Sequence, residues 1–130
     1  MEKKNIAIKI NQFNQRYAKT PEGRVQKYCM EQLKKHGCLV RKISYEGRRG
    51  CPDLLVLVPA REISIDGYYV DRILEAETLF LEIKKDEQTK PDPHQQREHE
   101  RMRAVGADVR TIGSKAQVDE LVKELFPCEK

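Results

Sequence analysis

The stretch GCPDLLVLV (50–58) is an apolar run of strand length with an acid, Asp53, at its head, and LFLEIKK (79–85) repeats the pattern with Glu82 and Lys84. Short, continuous runs rich in Val, Leu and Ile have the composition of buried strands. Burying a charge without a partner is costly, so acids on two core strands need an explanation. Side chains alternate along a strand. Leu79, Leu81 and Ile83 therefore share one face of the second run, and Phe80, Glu82 and Lys84 share the other. The acid and the amine point the same way, one pleat apart. Asp53 follows Pro52, which lacks an N–H and suits a strand start or edge, so this acid is expected near the rim of the sheet.

Helices frame these strands. In TPEGRVQKYCMEQLKKHG (20–37), Thr20 is an N-cap, Pro21 opens the helix and Gly37 ends it. CLVRKISY (38–45) reads as a strand and EGRRG (46–50) as a basic loop. REISIDGYYVDRI (61–73) is expected to be a hairpin turning at Asp66-Gly67, with Ile65 opposite Tyr68, Ile63 opposite Val70, and all four on one packing face. A helix follows from about Asp92, its N-cap, to Val105, with Gly106 beyond its end. ADVRTI is a strand, and SKAQVDELVKELF a last helix with Ser114 and Gln117 in a capping box. The order α-β-β-hairpin-β-α-β-α predicts an α/β fold, a mixed sheet with helices on its faces. Residues 1–19 form a basic arm of uncertain structure, and 20–130 read as one domain.

At 100° per residue, Glu22 on the first helix lines up with Cys29, Leu33 and His36, the inward face, whereas Glu31 lies half a turn away. Three acids (Glu22, Asp53, Glu82) and Lys84 converging at a sheet rim suit a hard cation, Mg²⁺ or Mn²⁺. The bland alternative for Glu22 is a first-turn acid facing the helix dipole. Pro91-Asp92 is a second Pro-Asp pair, but a helix follows it, so Asp92 reads as a cap. His36, His94 and His99 lack ligand spacing and are expected to be structural or exposed.

With Gly50-x-Pro52-Asp53 followed by Glu82-x-Lys84, the chain resembles the PD-(D/E)xK nuclease superfamily. The longer order PEGRVQKYCMEQLKKHG, GCPDLLVLV, LFLEIKK, HQQREHERMRAVGADV is similar to its VRR-NUC (virus-type replication-repair nuclease) branch, over roughly residues 20–125. The resemblance implies a restriction-endonuclease-like core. It makes Asp53, Glu82 and the Ile83 carbonyl metal ligands, with Glu22 binding directly or through water. Lys84 would position or activate the attacking water, and Gln95 would support Lys84 and a substrate phosphate. On its own helix Gln95 shares the inward face with His99 and Met102; a capping or partly buried amide is the alternative. About twenty residues, the hairpin among them, are inserted relative to the compact family core. They remove no motif residue but bear on which DNA shape is accepted.

Residues 1–50 hold 13 Lys/Arg against 4 Asp/Glu, and residues 51–130 hold 12 against 17. A basic first part beside an acidic second part suits a polyanion held at a carboxylate site. Arg48 and Arg49 stand on the approach to Asp53, where planar guanidiniums clamp phosphate; a solvated turn is the competing account. The four cysteines form no CxxC and are expected to be reduced, mostly structural thiols. No apolar run reaches bilayer length and no secretory apolar segment opens the chain, so an intracellular protein without membrane or small-molecule cofactor is expected. The stand-alone viral branch resembles four-way junction resolvases, and one site per chain then calls for a homodimer. Flaps or other DNA structures, or a non-catalytic DNA-binding module, are the alternatives.

Overall fold

The computed structural model describes residues 19–127. The basic arm expected over 1–19 thus lies outside the described residues except for Lys19, as does Cys128. Helix α1 (Pro21–Lys35) leads to strand β1 (Leu39–Lys42), then β2 (Leu54–Val58), β3 (Arg61–Ile63), β4 (Arg72–Leu74) and β5 (Glu77–Ile83). Helix α2 (Pro93–Ala104), strand β6 (Asp108–Ile112) and helix α3 (Lys115–Leu125) complete the order. The main sheet runs β1-β2-β5-β6; β5 pairs antiparallel with β2 and parallel with β6. This is the expected mixed sheet. No helix among the described residues is long and apolar enough to cross a membrane.

The alternation read from sequence sorts the two faces. Leu54, Val56 and Val58 of β2 and Leu79, Leu81 and Ile83 of β5 are buried in one core with Val25, Cys29 and Leu33 of α1 and Val118, Leu121 and Leu125 of α3. Helix α2 serves the other face: Arg103 donates to the Val109 carbonyl (2.7 Å), and Lys84 reaches Gln95. Fully burying side chains of this size contributes roughly 1.5–3 kcal/mol each, so the α1/α3 face dominates stability. Burial pushes the Cys29 and Cys38 thiols up to about 12 and about 11, which fits structural thiols rather than reactive ones.

Caps follow the sequence. Thr20 Oγ1 accepts from the Gly23 N–H (3.0 Å), and Asp92 and Gln95 form a reciprocal capping box. At α3, Ser114 Oγ accepts from the Gln117 N–H, but the Gln117 side chain accepts from the Gly113 N–H (2.7 Å), one residue further back than the expected box. Strand β1 is shorter than the run 38–45.

The hairpin departs most from expectation. Its pairs are Arg61↔Leu74, Glu62↔Ile73 and Ile63↔Arg72, a register offset from the one read at Asp66-Gly67. Only Ile63 is buried; Ile65 (82%), Tyr68 (87%) and Val70 (51%) are exposed. The cause is Asp66, whose carboxylate accepts from the N–H groups of Tyr68 (2.8 Å) and Tyr69 (3.2 Å), while Asp71 accepts from the Ile65 N–H (2.7 Å). Side-chain oxygens replace the backbone pairing of a tight turn and open a longer loop.

Arg61 ties the hairpin down. It is buried and donates to the Leu125 carbonyl (2.7 Å), the Glu75 carbonyl (2.7 Å) and Glu77 Oε2 (2.8 Å), beneath the Phe126 ring. Replacing Arg61 by Met strands these acceptors, and we expect a loss of about 2–4 kcal/mol in urea unfolding, with faster proteolysis across 61–74. A loss within experimental error would show that the hairpin needs no such anchor.

Candidate metal and nucleic-acid site

The site grows from the β2–β5 register. Leu54 faces Leu81, so the preceding residue, Asp53, lies across from Glu82 at the ends of the two strands. Asp53 Oδ2 accepts from the Ile83 N–H at 2.7 Å, which clips the head of β2 to β5. In a strand the N–H and C=O of a residue point to the same edge, so the Ile83 carbonyl is turned toward Asp53 as well. The Lys84 N–H instead bonds across to the Ile112 carbonyl on β6 (2.8 Å).

Glu82 is 1% exposed, and apart from the neighbouring Asp53 carboxylate its two oxygens have no hydrogen-bond partner. Its pKa is pushed far above the ordinary carboxylate range, first by burial and then by Asp53; Lys84 opposes the shift. Burial likewise raises Glu22, helped by Asp53 and opposed by Lys84. Glu22, half-buried on α1, therefore shares the field of Asp53 and Lys84. The excess of negative potential, with two bare buried oxygens, is what an added cation would relieve. Among the described residues no three His, Cys, Asp or Glu side chains form a ready-made metal cage. Asp53, Glu82 and the Ile83 carbonyl are the groups that would hold an ion, with waters completing its shell as Mg²⁺ prefers.

Lys84 Nζ donates to Gln95 Oε1 at 2.9 Å. The same oxygen accepts from the Asp92 N–H (3.0 Å), and Asp92 Oδ1 accepts from the Gln95 N–H (2.9 Å). The box that starts α2 thus also grips the lysine. Asp92 had read only as a cap, and its part in holding Lys84 emerges from the fold.

Arg48 is not the free clamp expected. It pairs with the buried Glu98 (2.8 Å), which also faces Arg101 (3.5 Å), and Arg48 itself stays half exposed. Arg49 is exposed beside it. Gly50 has φ +95°, and a Cβ there would meet the Glu98 Cβ at 2.9 Å, so the basic loop lies directly on α2. Of the histidines, His94 is exposed and His36 half-buried, as expected. His99 is 1% exposed with a partnerless Nε2, and burial, Arg103 and Lys84 lower its pKa, which favours the neutral ring. Sequence spacing rejected it as a ligand and gave no sign of its proximity to Lys84 and Asp53.

A raised folded-state pKa means that the native metal-free protein holds the Glu82 proton more tightly than the unfolded chain. Its stability should then fall as pH rises above the ordinary Glu value of 4.5 toward the folded one. Glu82→Gln is expected to remove that slope and to stabilise the metal-free protein by about 1–3 kcal/mol at pH 8 and little at pH 5, read from urea melts. Parallel pH curves for both proteins would refute the burial argument.

No protein-family model matches the chain. It is 32% identical over 93 residues to "Putative nuclease p44" of Acyrthosiphon pisum secondary endosymbiont phage 1, a match covering 72% of this chain and 83% of that protein. It is similar to a solved VRR_NUC domain at 50% sequence identity, with a TM-score of 0.66, over 82% of this chain and 99% of the other. Both matches span most of the partner's length, and their identities are well above those of fold likeness alone. The chain belongs to the VRR_NUC family, and its mixed sheet flanked by helices is that family's restriction-endonuclease-like fold.

Proposed function

We propose that the protein is a divalent-metal-dependent DNA endonuclease specific for branched structure, and that it resolves four-way junctions as a homodimer. The observation that carries this reading is the bare, buried Glu82 carboxylate beside Asp53, with Lys84 held next to it by Gln95. The nuclease name of the phage relative and the family's membership support the reaction class.

Asp53, Glu82 and the Ile83 carbonyl would hold Mg²⁺ or Mn²⁺. When bound, such an ion supplies a hydroxide-like nucleophile at neutral pH and offsets charge developing on the phosphate. The chain's own groups do the rest. Lys84, with one of its three N–H donors committed to Gln95, keeps a free donor for the attacking water or a phosphate oxygen. Glu22 orients a water from the α1 side. Gln95, fixed by its own helix cap, restricts the lysine to one position, and correct placement of reacting groups is itself a large share of such catalysis. Arg49, exposed on the loop beside the site, meets backbone phosphate, while Arg48 is held next to it by Glu98. Hydrolysis leaves a 5′-phosphate and a 3′-hydroxyl.

One site per chain and two symmetry-related strands per four-way junction call for a twofold pair. The hairpin offers an exposed apolar surface of Ile65, Tyr68, Tyr69, Val70 and Ile73. Its base follows Val58 and precedes Glu77, at the opposite end of β2 and β5 from Asp53 and Glu82. That is about 17 Å away along the strand alone, so a contact there leaves the site open.

Cleavage should require Mg²⁺ or Mn²⁺ and stop with EDTA. Lys84→Ala should lower it by about a hundredfold or more while DNA binding persists; metal-independent cleavage, or a fully active Lys84→Ala, would sink the mechanism. On a panel of linear duplex, flap and four-way junction, the junction should be cut fastest and as paired nicks. Ile65→Ser with Tyr68→Ser should shift the protein to monomers in sedimentation and uncouple the two nicks. Equal cleavage of all substrates removes the junction assignment, and an unchanged dimer removes the hairpin from the interface.

A further inference from the structure

We propose that His99 is a positioning residue: together with Gln95 it fixes the Lys84 ammonium, its Nε2 accepting a hydrogen bond relayed from Lys84 by one ordered water. The kinetic part of this proposal rests on the nuclease reading above; the structural part does not.

Gln95 and His99 are four residues apart on α2 and so share a face. Gln95 meets Lys84 directly at 2.9 Å. His99, one turn on, is 1% exposed, and its Nε2 has no partner. A buried polar atom left bare costs about 1–3 kcal/mol, and native proteins keep few of them without a bridging water or a functional reason. A core histidine of purely structural use would be expected to satisfy both nitrogens or to be replaced by an apolar residue of similar size.

The surroundings fix the role of the bare nitrogen. Lys84 and Arg103 are the cations whose charge reaches His99, and Asp53 and Glu98 are the anions. Arg103 is committed to the Val109 carbonyl through two nitrogens. Lys84 has donors to spare after Gln95, and a neutral imidazole offers one lone pair. A donor-rich ammonium held by Gln95 on the helix face that His99 shares favours the tautomer with the proton on Nδ1 and the lone pair on Nε2. A water between them gains Nε2 and Lys84 as partners with Asp53 nearby, enough to hold it in a buried polar site. Lys84 is then fixed by an amide oxygen and by a water, so its remaining donor direction is set.

Nitrogen-15 spectra of the full-length protein test the tautomer without any DNA. The His99 Nε2 resonance should lie in the unprotonated acceptor range and should move in Lys84→Met. A protonated Nε2, or one indifferent to Lys84→Met, overturns the proposal. In cleavage assays on the four-way junction, His99→Leu should fold, bind DNA as wild type does, and cut about tenfold to a hundredfold more slowly at saturating DNA. His99→Gln, whose oxygen reaches the Nε2 position, should restore most of the rate. If His99→Leu fails to fold, the pair His99→Gln and His99→Asn decides, because the Asn amide reaches only the Nδ1 position: Gln fast and Asn slow supports the proposal, equal rates overturn it. His99→Leu cutting within about threefold of wild type also overturns it. A wild-type protein that cuts no DNA instead sinks the nuclease reading and leaves the nitrogen spectrum to decide this one.

Discussion

Two carboxylates side by side at the end of a buried strand pair are the constraint on which the rest of this structure depends. The β2–β5 register puts Asp53 across from Glu82, and the apolar teeth behind them, Leu54, Val56, Leu79 and Leu81, prevent the register from slipping. A shift of one residue would turn each of these side chains to the opposite face. The core thus holds the acids together against their repulsion and against the loss of water around Glu82. Electrostatics alone would drive them apart. Packing on the α1/α3 face overrides it, because many buried aliphatic side chains outweigh one strained carboxylate pair.

The surrounding groups follow from that strain. Lys84 is the cation the sequence supplies, yet it leaves Glu82 bare and bonds to Gln95 instead. A lysine paired directly with Glu82 would quench the charge and leave nothing for a metal or a phosphate. Holding it through a neutral amide keeps both the acid and the amine available. The amide is itself fixed by the Asp92 cap, so one local motif starts a helix and aims a side chain. Gly50 lets the basic loop lie on the same helix, and Glu98 pins Arg48 there. Helix α2 gathers the lysine, the loop and the buried histidine on one face of the sheet.

Much of this was legible in the sequence because it follows from short periods. Alternation put Glu82 and Lys84 together, helical spacing turned Glu22 and Gln95 inward, and Pro21, Asp92 and Gly106 marked helix ends. The order of elements along the chain and the mixed sheet flanked by helices followed from the same signals. What was hidden depends on partners far along the chain or on competition between local bonds. Arg61 looks like a surface residue until the Leu125 carbonyl, 64 residues away, comes to meet it. Glu98 sits in a highly charged helix and becomes buried only where the Gly50 loop covers it. Asp66-Gly67 carries the signal of a tight turn, but the Asp66 carboxylate captures two following N–H groups and opens the loop. The apolar residues Ile65, Tyr68 and Val70 then face outward rather than inward.

The central claim is that Asp53 and Glu82 are held in a costly arrangement that a divalent cation relieves. Titration calorimetry of Mn²⁺ into the metal-free protein near pH 7, repeated in buffers of different ionisation enthalpy, tests it most directly. The account predicts saturable uptake accompanied by proton release from Glu82, with both lost in Glu82→Gln. Heat that is independent of buffer, or no Mn²⁺ uptake by a folded protein, would contradict it.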